Sequence, residues 1–270
     1  YPPFIGAPDS ARLKGVQNPL LKLQDGTYAL DFDRFEQQII SENVRAFILC
    51  NPQNPTGRVF TREELSQLAE ICLRQNVLIV SDEIHCDILY DGHKHVPIAS
   101  LSPEIAANTI TFMAPSKTYN IAGLHASVCV IQNPSLMDQF HEFCEGLVGC
   151  PGVLALTAAH AAYADGDDWL AEQNQYLQAN RDFLDDALRA QLPGIHWNKP
   201  EATFLGWLDC GELGLGEPPY EFFLREARVG LNEGKTFGPQ CGDFVRINFG
   251  TTRANLQEAI NRMEAALAAR

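Results

Sequence analysis

One stretch near the start of the chain restricts the possible folds more than any other. Val44 to Cys50 is an apolar, β-rich run that ends in the rigid segment Asn51-Pro52-Gln53-Asn54-Pro55-Thr56-Gly57. Thr61-Arg62-Glu63-Glu64 follows, a capping box in which Thr61 and Glu64 can each satisfy the other's end of a helix start. Leu65, Leu68, Ala69, Cys72 and Leu73 then recur at helical spacing, and Val77 to Val80 is a second short apolar run. Strand, helix and strand in this order form a βαβ unit. Two further strands, Thr109 to Met113 and Ser127 to Ile131, extend it into an α/β sheet, mainly parallel and covered by helices on both faces.

After Asp167 the pattern changes. A long helix is expected from Trp169 to about Gln191, with Leu170, Leu177, Leu184 and Leu188 on one side and Pro193-Gly194 as its stop. Short strands follow at Phe204 to Leu208 and Phe244 to Phe249. A last helix from about Arg253 buries Leu256, Ile260, Met263 and Leu267. The expected organisation is a large α/β domain over 1–166 and, over 167–270, a linking helix with a smaller α+β domain.

Composition mainly excludes. A net charge of −14 opposes binding to a nucleic-acid backbone, which favours clustered Lys and Arg. No apolar run is long enough to span a bilayer. The eight cysteines form no CxxC pair, and several sit inside apolar runs, as Cys50 and Cys129 do, which suits a reducing, cytoplasmic setting. No metal site is expected: His93 and His95 read as polar loop residues, and Cys86 as packing. Tyr1-Pro2-Pro3-Phe4 lacks an initiator Met and reads as the interior of a longer protein.

Three polar motifs follow three of the strands. The first is the Asn-Pro turn itself. The second is Ser81-Asp82-Glu83-Ile84-His85-Cys86-Asp87, and the third is Ala114-Pro115-Ser116-Lys117-Thr118-Tyr119-Asn120. Ligands of open α/β sheets bind beyond the carboxyl ends of the strands, so all three stand where a site is expected. A Lys held there between apolar strands loses hydration, which favours the free amine needed for Schiff-base chemistry.

As an ordered set, with 28 residues from Asn54 to Asp82 and 35 from Asp82 to Lys117, the motifs resemble those of the pyridoxal-phosphate (PLP) enzymes of the class I/II aminotransferase superfamily, fold type I. The resemblance implies the aminotransferase-like fold: a mainly parallel mixed sheet sandwiched by helices, plus a smaller C-terminal α+β domain. It implies PLP carried on Lys117, Asp82 paired with the pyridinium nitrogen, and Asn54 on the ring's 3′ oxygen. Arg246, in Val245-Arg246-Ile247-Asn248-Phe249, matches the arginine that grips the substrate α-carboxylate, and Tyr1 an aromatic residue stacked on the ring. His85 stands where many members carry a tyrosine, His125 where many carry a phosphate-binding arginine, and Ala114 where a phosphate-binding serine is common. Ser116 is the candidate substitute.

Asp82-Glu83-Ile84-His85-Cys86-Asp87, Ser116 to Leu124 and Pro200 to Asp209 are most similar to the MalY/PatB-type cystathionine β-lyases, or cysteine-S-conjugate β-lyases. In that branch a segment with a glycine-containing phosphate-binding turn precedes the point where this sequence starts. The branch implies cleavage of cystathionine or related S-conjugates to a thiol, pyruvate and ammonia, by a homodimer acting on a small amino acid. Lys117 or a tyrosine such as Tyr119 would protonate the leaving group. An aminotransferase would use the same residues, and the PLP-binding sensor half of a transcription regulator is a third reading.

Overall fold

The computed structural model describes residues 1–270. Ten strands are arranged in three sheets. A hairpin joins β1 (Leu21–Lys22) to β2 (Tyr28–Ala29). The main sheet has the order β3 (Ala46–Cys50), β4 (Leu78–Asp82), β5 (Thr109–Met113), β6 (Val128–Ile131). Its first three strands are parallel and β6 is antiparallel. The third sheet has the order β7 (His196–Trp197), β8 (Leu205–Asp209), β10 (Phe244–Asn248), β9 (Asn232–Glu233), antiparallel throughout.

The helices are α1 (Pro2–Ser10), α2 (Phe32–Ser41), α3 (Arg62–Arg74), α4 (Pro103–Ala107), α5 (Pro115–Thr118), α6 (Pro134–Cys144), α7 (Val153–Asp165), α8 (Asp167–Gln191), α9 (Pro219–Phe222) and α10 (Arg253–Ala268). None is long and apolar enough to cross a membrane. This is the mixed α/β architecture expected of the aminotransferase fold.

Local chemistry explains several boundaries. The capping box at α3 is complete: Glu64 N–H donates to Thr61 Oγ1 (3.2 Å), and Thr61 N–H donates to Glu64 Oε2 (2.9 Å). β4 extends two residues beyond the apolar run, because Ser81 and Asp82 continue the ladder opposite Leu49 and Cys50. α8 begins two residues earlier than its apolar pattern suggests, since Asp167 and Asp168 in its first turn complement the positive end of the helix dipole.

Each larger sheet has its own core. Leu49 and Ile79 of the main sheet pack with Phe35 and Ile39 of α2 and with Leu65, Leu68 and Cys72 of α3. The opposite face carries Ile48, Val80 and Phe112, all half-buried, with α6 reaching it through Phe140. The second core unites Leu177, Leu184 and Leu188 of α8 with Leu208, Val245, Ile247, Leu256, Ile260 and Met263. Ile88 and Tyr90 also join this second core, although they lie in the first part of the chain.

The β1–β2 hairpin sits on the third sheet, with Lys22 paired to Asp209 and Asn198 Nδ2 donating to the Gly26 carbonyl. We propose the division between two domains at 166/167, with the hairpin, Ile88 and Tyr90 as places where the first part packs on the second. All eight cysteines are free, and Cys86 is buried as packing.

Candidate active site

The register of the main sheet brings the first three motifs together. Cys50 lies opposite Asp82, and Asp82 opposite Phe112, so β3, β4 and β5 end side by side. Asn54 then stands just after β3, Asp82 at the tip of β4, and Lys117 on the short helix α5 after β5.

Each turn is held by its own bonds. In the first, Gln53 Oε1 accepts from Thr56 N–H (2.9 Å) and Thr56 Oγ1 (2.6 Å), while Asn51 Oδ1 accepts from Phe60 N–H (3.1 Å). The Asn51–Pro52 and Asn54–Pro55 peptide bonds are both cis. Gly57 has φ +70°, and a Cβ there would run into Pro200. Its carbonyl accepts from Glu201 N–H (3.0 Å) and Ala202 N–H (2.9 Å), which docks the turn on the segment leading to β8. Only a glycine fits both the backbone angle and the close approach.

Asp82 is partly buried, and one carboxylate oxygen accepts from Ile84 N–H (3.3 Å). Burial pushes its carboxyl above the usual range; the Ile84 bond and the nearby Lys117 charge oppose this, and Glu83 adds to it. His85 is buried edge-on to Phe204, with ring centroids 5.6 Å apart. Burial, together with the charges of Lys117 and Arg246, lowers its imidazole to about 4, so the ring is neutral at pH 7. Its Nδ1 is buried without a hydrogen-bond partner.

Lys117 is half-buried. Ser116 Oγ beside it donates to Ala126 O (3.3 Å), and Thr118 Oγ1 donates to Asp87 Oδ2 (3.1 Å); the Lys117 amine between them has no partner. Gln173 of α8 donates to Thr118 O (2.7 Å), which fixes the lysine turn to the long helix. Tyr119 is engaged elsewhere, stacked on Trp169 (centroids 6.0 Å) and edge-on to Tyr163 (5.8 Å). His125 adopts the left-handed conformation, φ +55°, and is exposed.

Arg246 reaches the same place from the antiparallel sheet. Its Nη1 donates to Asn54 Oδ1 (2.8 Å), a contact across 192 residues of sequence. Asn54 is almost fully buried, and this bond leaves its Nδ2 free to donate. Tyr1 lies near Asp82, Cys50 and Arg246, and its ring is edge-on to Phe4.

Two partners of this cluster were not legible as such. Glu83, adjacent to Asp82, points away into the core, where Oε1 accepts from Ser81 Oγ (2.8 Å) and Oε2 meets His95 Nε2 (2.7 Å). His95 lies in a loop, as its sequence neighbours suggest, but its side chain is buried as the partner of Glu83. The other is Asn232, whose role depends on a strand pairing that no local pattern reveals.

Comparisons with known proteins show the family. The family "Aminotransferase class I and II" matches residues 6–263. The chain belongs to that family. It is 40% identical over 270 residues to cystathionine β-lyase PatB of Bacillus subtilis, covering 99% of this chain and 69% of that protein. It is 32% identical over 263 residues to protein MalY of Escherichia coli, covering 96% and 66%. These matches place it in the MalY/PatB-type branch.

Among solved structures, cystalysin from Treponema denticola, which contains PLP, superposes with a TM-score of 0.95 at 31% identity, covering 100% of this chain and 68% of that one. A PLP-bound C–S lyase from Staphylococcus hominis gives 0.93 at 36%, covering 99% and 70%. The chain spans about two thirds of the length of these class I and II relatives.

Proposed function

We propose that the protein is a PLP-dependent carbon–sulfur β-lyase that cleaves L-cystathionine or related cysteine S-conjugates to a thiol, pyruvate and ammonia. The observation that carries this reading is the convergence of Lys117, Asp82 and Asn54 at three adjacent strand ends, with Arg246 hydrogen-bonded to Asn54. Relatives of this branch named as cystathionine β-lyases or C–S lyases supply the substrate class.

The donor set fits the cofactor. An unpartnered amine suits its aldehyde and a partly buried carboxylate its ring nitrogen. Asn54 Nδ2 and the orphaned His85 Nδ1 are polar groups for its ring oxygen. When bound, PLP supplies an electron-accepting ring that stabilises negative charge at the substrate α-carbon.

The chain's own residues do the rest. Arg246 holds the substrate α-carboxylate through its planar fork of N–H donors. Asp82 would pair with the ring nitrogen by charge and hydrogen bonding, favouring its protonated form. Because it is partly buried, that pairing acts at reduced dielectric and is stronger than in water. The Lys117 amine takes the α-proton, and Lys117 or Tyr119 protonates the departing sulfur. Ser116 and His125 are the candidates on this chain for the cofactor phosphate, and Tyr1 for stacking on the ring. A homodimer and a cytoplasmic location complete the reading.

The test is pyruvate release from L-cystathionine by the full-length protein with PLP and no added 2-oxo acid. Steady turnover is expected, with Lys117→Ala lowering it by roughly 10³-fold or more. Amino transfer on adding a 2-oxo acid, with no pyruvate before it, would move the activity to the aminotransferases.

A further inference from the structure

Arg246 does not stand alone on its sheet. In the ladder of β8, β10 and β9 it lies directly opposite Trp207 on one side and Asn232 on the other. Residues opposite one another in an antiparallel pair project from the same face, so the three side chains form a row across the sheet. Asn232 Oδ1 accepts from both Arg246 Nε (3.2 Å) and Nη2 (2.8 Å). The guanidinium lies over the Phe237 ring, 4.9 Å from its centroid. Phe237 in turn stands edge-on to Trp207 at 5.1 Å, and Trp207 is stacked on Phe244 at 5.0 Å with an interplanar angle of 10°.

We infer that Asn232 and Phe237 are positioning residues for Arg246, and that together they decide which edge of the guanidinium meets a carboxylate. The inference rests on the proposed role of Arg246 in holding the substrate carboxylate. An arginine has five N–H donors in a rigid fork. Three are committed: Nε and one on Nη2 to Asn232, and one on Nη1 to Asn54. One N–H remains on each terminal nitrogen. The edge that includes Nε is closed by Asn232, so an incoming carboxylate has only the terminal nitrogens to engage.

Phe237 holds the guanidinium plane from its face, while Trp207 and Phe244 back Phe237 so that the ring does not yield. Both bonding partners are neutral amides, so the full positive charge of Arg246 is kept for the ligand. An acidic residue at either place would spend it on an internal ion pair. Asn232 is exposed and belongs to neither hydrophobic core.

The experiment titrates the holoprotein with L-alanine and with L-alaninamide, which lacks the carboxylate, and reads the change in cofactor absorbance. Asn232→Ala is expected to weaken L-alanine binding by about tenfold, the range for hydrogen bonds to a charged group. It should leave L-alaninamide binding and cofactor content unchanged. Phe237→Leu should act in the same direction but less.

In an Arg246→Ala background, Asn232→Ala should have no further effect, the non-additivity expected of residues that act through one group. Additive losses, or equal losses for both probes, would overturn the positioning role. So would an Asn232→Ala protein that binds L-alanine normally while Arg246→Ala does not, and that outcome would leave the β-lyase reading intact. A holoprotein that binds neither probe, or an Arg246→Ala protein that still binds L-alanine as tightly, would overturn the reading of the site and this inference with it.

Discussion

In the parallel sheet, Asn54, Asp82 and Lys117 stand at or beyond the ends of three neighbouring strands, whereas in the antiparallel sheet Arg246 stands mid-strand between Asn232 and Trp207. The parallel strands have one face packed against α2 and α3, and each chain crossover leaves from the same edge. That edge is where loops can present polar groups. The antiparallel sheet packs α8 and α10 against one face, and its other face carries Arg246 beside Trp207, Phe237 and Phe244. In the proposed reading, one region supplies proton-moving groups on turns, and the other holds the charged fork of Arg246 in a row across the sheet. The Arg246–Asn54 bond and the docking of Gly57 on Glu201 and Ala202 join the two.

The sharpest way to break this division is Asp82→Ala. If the parallel-sheet edge carries the chemistry, kcat for pyruvate release falls by roughly 10³-fold while the KM changes little, since the Arg246 fork is untouched. A rise in KM with kcat preserved would mean that the two regions do not split the work in this way. Steady-state kinetics on the two parameters decides it.

Gly57→Ala probes the joint. The new Cβ would approach Ala202 O at 3.0 Å and Pro200 Cα at 3.1 Å, at φ +70°. Overpacking and left-handed strain together should cost about 4 kcal/mol in urea unfolding. Native-like stability would show that the joint is compliant and the regions less firmly coupled.

The smallest effect concerns His85. With its imidazole held down at about 4, the native protein resists a proton that the unfolded chain accepts near 6.5. Between these values the unfolded state binds more protons, so stability rises with pH. The contribution is complete above about 6.5 and lost as pH falls toward 4. His85→Phe should flatten this slope by up to roughly 3 kcal/mol, measured as unfolding free energy against pH. An unchanged slope would mean that His85 titrates as if in solvent.

Much of the candidate site could be located because its residues sit in short local motifs. Lys117, Asp82 and Asn54 each follow an apolar run, and the order of the motifs pointed to their meeting. His95 was not legible, because nothing near Asp91-Gly92-His93-Lys94-His95 signals a buried carboxylate twelve residues earlier. The end of β4 was misjudged for a related reason. Ser81 is polar but fully buried, its hydroxyl satisfied by Glu83, so hydrophobic periodicity stops before the strand does.

From the sequence alone came the α/β class, the complete capping box at Thr61, the long helix that opens the second part, and the residues with chemistry to offer. Those features depend on contacts a few residues apart, which composition and periodicity report directly. Only the tertiary structure decided that Asn54 meets Arg246, that Asn232 and Phe237 contact that arginine, and that Glu83 turns away from the site toward His95. Each of these depends on strand register or on the packing of distant segments, and a one-residue slip in register would send every side chain to the opposite face.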